Sequence, residues 1–124
     1  MPKSMPHAAL LCFTFTAFLM ITIAHAADSG QLQYFRQYRR CPKCDLRKAE
    51  FNGLDLSGSK VQEANFSGSS FYKTNLRDSD FTGAKFEGVR IHGCWLKGAV
   101  GLDLTGATTD ETTECPDGSA GPCH

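Results

Sequence analysis

Residues 64–88 read ANFSGSSFYKTNLRDSDFTGAKFEG and place a large apolar residue at every fifth position. These residues are Phe66, Phe71, Leu76, Phe81 and Phe86. In an α-helix, five residues advance by about 140°, so these side chains would scatter over every face. In a flat strand, an odd spacing sends successive side chains to opposite faces. The pattern therefore predicts a chain that bends once in each five-residue block and keeps one shared interior.

The same period extends in both directions, from Cys44 to Gly98. The first position of each block is usually small and is predicted to point inward, while the second and fourth positions are mostly polar and should face water. The fifth position is often glycine, which tolerates the positive φ of tight turns. The central residues are all apolar: Leu46, Phe51, Leu56, Val61, Phe66, Phe71, Leu76, Phe81, Phe86, Ile91 and Leu96.

Three blocks, ANFSG at 64–68, TNLRD at 74–78 and LDLSG at 54–58, resemble the A-(D/N)-(L/F)-x-x repeat of the pentapeptide-repeat proteins. The resemblance covers residues 44–98 and implies an all-β fold, a right-handed quadrilateral β-helix with four blocks in each coil. Residues about 20 apart should then stack, for example Phe51 on Phe71. We expect residues 44–106 to form roughly three coils of this β-helix.

Residues 1–26 have the pattern of a secretory signal peptide. Lys3 precedes an apolar run from Ala8 to Ile23, and Ala24-His25-Ala26 is a typical cleavage motif. The run is short for a transmembrane helix, although a retained membrane anchor is the alternative. We therefore expect cleavage after Ala26, export to the periplasm or beyond the cell of a bacterium, and no stable membrane insertion afterwards.

Residues 27–43 are predicted to cap the open first coil. Asp28 or Ser29 could begin a short helix, and Leu32 and Phe35 could cover the core. The alternative is a basic amphipathic segment that contacts anionic surfaces through three arginines. These are Arg36, Arg39 and Arg40.

The far end of the repeat loses its period. Residues 99–101 would put Gly101 in a central position, and Leu102-Asp103-Leu104-Thr105-Gly106 follows with a shift of three residues. This predicts a bulge and then one further block. Residues 107–124 show no repeat and are predicted to form a tail.

Export implies an oxidising compartment, in which cysteines pair. Within Cys41-Pro-Lys-Cys44, the two cysteines are predicted to form a structural disulfide. The alternatives are that they form a redox-active pair or that they contribute to a metal site. A disulfide between Cys115 and Cys123 would close a short loop around a Pro-Asp-Gly turn. Cys94 points inward and is expected to be a buried free thiol. Cys12 would leave with the signal peptide, and the five cysteines that remain leave the pairing open at this point. We expect neither a metal nor a cofactor.

A candidate binding surface lies among the outward positions near the last blocks. Tyr72 and His92 should stack on one face, with Arg90 nearby and Trp95 around the corner. Aromatic residues and arginine are enriched in binding hot spots. The alternative is that the tail folds back and covers Trp95. No nucleophile and base occur in a recognisable arrangement, so we expect no catalytic residues and no enzymatic activity.

These features favour an exported interaction or scaffold protein whose protein partner is unidentified. The resemblance also implies an alternative, a DNA-mimicking protein that binds a type II topoisomerase, but export and a net charge near zero disfavour it. A third hypothesis is a small thiol-disulfide or metal-binding protein that uses Cys41 and Cys44. No nucleic-acid partner is expected. Basic residues crowd the beginning and acidic residues the end, which would permit head-to-tail self-association.

Overall fold

The structure, a computed structural model, describes residues 27–124. Helix α1 spans Ser29–Tyr38, and four short strands follow. The strands pair in parallel in the order β1-β2-β3-β4, so a long circuit of chain separates each strand from the next. The strands are β1 (Glu50–Asn52), β2 (Ser70–Tyr72), β3 (Arg90–His92) and β4 (Thr108–Thr109).

Isolated parallel pairs continue the same stacking around the rest of each circuit. We name each stack by its first buried central residue, so the strands form the Phe51 ladder. The remaining pairs form the Leu46 ladder (Asp45, Asn65, Lys85), the Leu56 ladder (Asp55, Asn75, Trp95, Glu114) and the Val61 ladder (Arg40, Lys60, Asp80, Val100). Four ladders visited in turn define a β-helix solenoid, and the predicted stacking of Phe51, Phe71 and Ile91 is confirmed.

The central residues of the blocks fill the interior of the solenoid. All eleven are at most 3% exposed, which confirms the interpretation of the five-residue period. The Phe66 ring stacks on Phe86 with centroids 5.3 Å apart and meets Phe71 at 5.6 Å and Phe81 at 6.0 Å. Such offset and edge-to-face contacts are the favourable arrangements for aromatic rings. The core is therefore one continuous column of apolar side chains.

The small residues at the first position also point inward, as predicted, and several are polar. Ser59, Ser69 and Thr74 are fully buried. The Ser69 hydroxyl donates to the carbonyl of Phe66 at 2.5 Å, and the Thr74 hydroxyl donates to the carbonyl of Phe51. Within residues 27–124, every buried side-chain polar atom has a hydrogen-bond partner. Burial of these hydroxyls is therefore compensated at the corners.

Helix α1 covers the first coil, in the segment where the sequence predicts a cap. The Asp28 carboxylate accepts a hydrogen bond from the Gln31 N–H at 3.0 Å, so Asp28 is the N-cap. Phe35 is fully buried and meets the rings of Phe51 at 5.7 Å and Phe66 at 6.1 Å. The helix ends at Arg39, which has a φ of 53°. Because Arg40 already pairs with Lys60, stacking begins a few residues before the predicted start at residue 44.

The register changes near Gly101, although no residues are inserted. Asp80 pairs with Val100, twenty residues on, but Arg90 pairs with Thr108, only eighteen on. The predicted bulge is therefore wrong, because the circuit from Arg90 to Thr108 is shortened by two residues. One residue is regained after β4, since Trp95 pairs with Glu114, nineteen residues on. The further block is present, since Asp103 accepts from the Thr105 N–H at 3.0 Å as other blocks do. Gly101 permits the short path, because a Cβ there would lie 2.5 Å from the Thr82 Cα.

The predicted tail contributes further members to the ladders. Strand β4 pairs with β3, and Glu114 pairs with Trp95 on one side and, in antiparallel fashion, with Ala120 on the other. Stacking therefore extends past residue 106. The sequence pattern missed this coil because Thr109 and Cys115 occupy positions where the repeat places Leu or Phe. None of the helices in the described part of the chain has the length and apolar character needed to cross a membrane.

Candidate binding surface

The predicted aromatic edge comprises Tyr72, Arg90, His92 and Trp95. Tyr72 ends β2 and pairs with His92 at the end of β3, so the two residues occupy neighbouring levels of one face. Strand alternation keeps Ile91 inside and places Arg90 and His92 outside on either side of it. The structure thus brings three of the four predicted residues onto the outer surface of the Phe51 ladder.

Trp95 lies on the adjacent face, in the Leu56 ladder. The chain turns at Gly93, which has a φ of 62°, between His92 and Trp95. Tyr72 is 51% exposed and Trp95 is 39% exposed, so both rings remain available to a partner. The aromatic edge therefore wraps around one corner of the solenoid.

The tail passes beside Trp95 and leaves part of its ring uncovered. Glu114 is the next member of the Leu56 ladder. Its carboxylate accepts a hydrogen bond from Nε of Arg77 at 2.8 Å, and Nη2 of the same guanidinium lies 2.8 Å from the same oxygen. This pair anchors the tail one level beyond Trp95, so the tail borders the aromatic edge.

His92 is partly committed to an intramolecular contact. Its Nδ1 lies 2.9 Å from Oδ2 of Asp110, at the end of the short strand β4. Hydrogen bonds from the Thr112 hydroxyl and then from His92 hold the pKa of Asp110 well below its ordinary value. His92 therefore helps to fasten the tail. Sequence reasoning missed Asp110, although its spacing of eighteen from His92 matches the shortened coil.

Tyr72 and Arg90 are less constrained. The Lys73 ammonium lies 5.3 Å from the centroid of the Tyr72 ring, a cation–π geometry. Arg90 is exposed, and within residues 27–124 its guanidinium forms none of the ion pairs. A planar cation and an aromatic ring on a rigid face could stack on or hydrogen-bond to a partner protein.

The cysteines pair within the two ends. Cys41 is bonded to Cys44 and Cys115 to Cys123, with Cα–Cα distances of 5.5 Å in both disulfides. Cys94 is a free, fully buried thiol, and burial raises its pKa, so it is a poor nucleophile. Across the described residues, no cluster of three or more His, Cys, Asp or Glu side chains could hold a metal ion.

Many acidic residues at the second position have a structural role. Asp55 Oδ1 accepts from both the N–H and the hydroxyl of Ser57, at 3.1 and 2.6 Å. Asp80 does the same with Thr82, and these hydrogen bonds lower the pKa of both aspartates. Such side-chain turns satisfy backbone donors at the corners. Asp55 and Asp80 therefore act as corner braces.

Comparison with known proteins agrees with this architecture. Residues 64–100 match the family model for pentapeptide repeats, with eight copies. This part of the chain therefore carries the repeat of the pentapeptide-repeat proteins. No curated protein sequence matches it.

Among solved structures, the chain is similar to alr5209, a pentapeptide repeat protein from Nostoc Pcc 7120. The identity is 18%, the match covers 80% of this chain and 90% of that one, and the TM-score is 0.53. Rfr23 from the cyanobacterium Cyanothece 51142 matches at 15% identity, over 68% of this chain and 97% of that one, with a TM-score of 0.33. QnrB1, a plasmid-mediated fluoroquinolone resistance protein, matches at 23% identity over 60% and 45%, with a TM-score of 0.32. At these identities the likeness concerns the fold alone.

Proposed function

We propose that the chain is an exported, non-enzymatic interaction module that binds a partner protein through the aromatic edge. One observation carries this function: Tyr72 and Trp95 are 51% and 39% exposed on adjacent faces of a solenoid whose central residues are buried. Rigid aromatic side chains lose little entropy on binding, and large exposed ones are typical anchors. Arg90 adds a cation beside them.

The proposed module is a right-handed, four-sided solenoid, as the resemblance implies. Four ladders with three or four paired levels each support this shape. It is a rigid scaffold, since the backbone of each level donates hydrogen bonds to the next, for example Leu56 N–H to Asn75 C=O at 2.8 Å. A rigid scaffold presents the aromatic edge without an ordering cost on binding.

Export is part of this proposal, although the signal-peptide pattern at residues 1–26 lies outside the residues that the structure describes. The two disulfides support an oxidising compartment. Expression in a Gram-negative bacterium should yield a periplasmic or secreted protein whose N-terminal sequence begins at Ala27. A cytoplasmic, uncleaved chain would contradict the proposed localisation.

Site-specific photo-crosslinking in cells tests the binding surface. A photoreactive side chain at position 72 or 95 should form a discrete adduct with one protein. The same side chain at position 85 is the matched control, because Lys85 is exposed on the separate Leu46 ladder. Adducts from 72 and 95 but not from 85 would support the proposal. Equal labelling at all three positions, or none, would overturn it.

A further inference from the structure

Charge is segregated along the axis of the solenoid. Residues 27–48 hold Arg36, Arg39, Arg40, Lys43, Arg47 and Lys48 against Asp28 and Asp45. Residues 99–124 contain no Lys or Arg and hold Asp103, Asp110, Glu111, Glu114 and Asp117. Because the ladders stack in chain order, these segments lie at opposite ends, which we call the basic end and the acidic end.

The basic end carries a groove suited to an acidic partner. A cavity of about 410 Å³ is lined by Tyr38, Arg39, Arg40, Lys60 and the Ser57-Gly58 corner. In the described part of the chain, none of these three cations has a carboxylate within 4.0 Å. Tyr38 is 57% exposed, and its ring lies 4.7 Å from that of Tyr34. Asp55 and Asp80 interact with Arg39 and Lys60 only from beyond this distance. The groove thus combines positive charge that is free of direct ion pairs with an aromatic surface.

The acidic end offers the complementary chemistry. Asp110 and Glu114 are paired with His92 and Arg77. Asp103, Glu111 and Asp117 have no cationic side chain within 4.0 Å among residues 27–124. The tail covers only part of this end, since Ala120 pairs with Glu114 while Val100 is the last member of its ladder. Val100 is 55% exposed, and Leu102 and Leu104 are partly buried.

The two ends are also in register around the axis. The corner between the Leu56 and Val61 ladders is joined from level to level by backbone hydrogen bonds of 2.8–3.0 Å. The N–H groups of Gly58, Asp78 and Gly98 donate to the carbonyls of Arg77, Lys97 and Pro116, respectively. Asp117 follows Pro116 and therefore lies at this corner on the acidic end. Gly58 lines the groove at the same corner on the basic end. A second copy stacked along the axis would bring Asp117 towards Arg39, Arg40 and Lys60.

We propose that copies of this chain associate end to end, with the acidic end of one seated on the basic end of the next. The occupant of the groove is therefore a second copy of the chain. The interface uses different surfaces on the two copies and stacks them along the solenoid axis, so it adds further copies in a row. The sides of the solenoid stay free, so this association is independent of the aromatic edge.

Sedimentation velocity of the folded, disulfide-bonded protein over a range of concentrations tests the association. In about 20 mM NaCl the weight-average sedimentation coefficient should rise with concentration. In about 500 mM NaCl it should return to the monomer value, because salt screens exposed charges. A monomer at every concentration in low salt would overturn the proposal.

A charge-swap experiment identifies the interface. Arg40→Glu/Lys60→Glu leaves Arg39 against two carboxylates and so reverses the charge of the groove, and Asp117→Lys reverses the charge at the corner that faces it. Each variant alone should be monomeric in low salt, because the groove and the facing corner then carry charges of the same sign. An equimolar mixture should assemble, because each end then meets an opposite charge on the other variant. Asp117→Asn is the control for local structure. Its amide oxygen can still accept a hydrogen bond from the Ser119 N–H, which lies 2.9 Å from the aspartate oxygen. This variant should assemble more weakly than the wild type, and mixing it with Arg40→Glu/Lys60→Glu should not restore assembly.

Two results would overturn end-to-end stacking even if the protein self-associates. One is a dimer that both variants still form, which would place the interface elsewhere. The other is a mixture that stays monomeric while the wild type assembles. If the wild type is monomeric but cosediments with anionic phospholipid vesicles, and Arg40→Glu/Lys60→Glu does not, the groove would belong to a membrane surface instead.

Discussion

The fifth position of each block has a positive φ whether or not glycine occupies it. Gly58 has a φ of 66°, and Lys48, Glu63, Lys73 and Asp78 have φ values between 48° and 59°. The left-handed region costs a residue with a Cβ about 1–2 kcal/mol relative to the right-handed one. The corner geometry is therefore imposed by the stacked core, and glycine makes it easier to adopt.

Glu63→Gly should stabilise the protein by about 1 kcal/mol, because glycine adopts a positive φ without strain. The substitution also removes the Lys43–Glu63 ion pair, but this pair is 3.6 Å long and exposed, and such pairs contribute little. Urea denaturation measures the difference in the free energy of unfolding. Glu63→Gln is the control, because it removes the pair and keeps the φ; a gain of equal size in this control would contradict the explanation.

Gly101→Ala should destabilise the protein by about 3 kcal/mol or more, whereas Gly58→Ala should cost only about 1 kcal/mol. The two glycines have φ values of 67° and 66°, so the backbone strain is the same. They differ in space: a Cβ at Gly58 meets nothing within 4 Å, but one at Gly101 lies 2.5 Å from the Thr82 Cα. Chemical denaturation of both variants gives the comparison. Equal losses would show that the shortened coil does not depend on this close approach.

The helix and the tail are the elements that close the open ends of the solenoid. Phe35 continues the column of aromatic rings beyond the first coil, and Cys115 is buried on the last level. In repeat proteins each coil is stabilised mainly by its neighbours, so a terminal coil needs a cap. Both closures are also fastened by a disulfide.

Phe35→Ala should cost about 3–5 kcal/mol, because it removes a fully buried ring and leaves the first coil uncovered. Tyr38→Ala is the matched control on the same helix, since Tyr38 is 57% exposed. This control should change the free energy of unfolding by about 0.5 kcal/mol or less. Thermal melts followed by circular dichroism measure both. Similar losses for the two variants would mean that the helix does not cap the core through Phe35.

Cys94 carries the single free thiol of residues 27–124, and this thiol should be inaccessible while the protein is folded. A thiol reagent added to unreduced native protein should detect none, because Cys94 is buried and the other cysteines of residues 27–124 are paired. In denaturant without a reductant, the mature protein should show one thiol. Two additional reactive thiols in the native protein would instead favour the redox or metal hypothesis for Cys41 and Cys44.

The whole molecule is braced by carboxylates at its corners, and this makes its stability depend on pH. Hydrogen bonds to neighbouring hydroxyl and N–H groups lower the pKa of Asp55, Asp80, Asp103 and Asp117. A carboxyl whose pKa is lower in the folded state stabilises the fold above its unfolded pKa. This stabilisation is lost as the pH falls through the folded value.

The melting temperature should therefore stay level from about pH 7 to pH 5 and fall below about pH 4, as these carboxylates become protonated. Asp110→Asn removes one such group, whose bonds to Thr112 and His92 lower its pKa. Its melting temperature should lie below that of the wild type at pH 7, and the gap should narrow as the pH falls. A gap that is constant down to pH 2 would contradict the linkage.

The five-residue period was sufficient to predict the solenoid, the inward positions and the stacking of Phe51, Phe71 and Ile91. It was sufficient because each block buries its own central residue, so the information is local. The N-terminal helix could also be predicted from local sequence, because Asp28 is a typical N-cap residue and Phe35 lies two turns further along the helix, where it can reach the core. The placement of Tyr72 and His92 on one face followed from their spacing of twenty residues, which is one full coil.

The shortened coil and the last level of the solenoid could not be predicted from the five-residue period. Their centres, Thr109 and Cys115, are not the large apolar residues of the repeat, and they are held by contacts with distant parts of the chain. The Thr109 hydroxyl accepts from the Cys123 N–H at 2.7 Å, and Asp110 and Glu114 pair with His92 and Arg77. Such long-range contacts arise only when the tail stacks on the preceding coil. A local pattern specifies which side chains face the core. The packing of one level on the next selects the register, and it thereby places Asp117 at the same corner of the solenoid as the groove at the basic end.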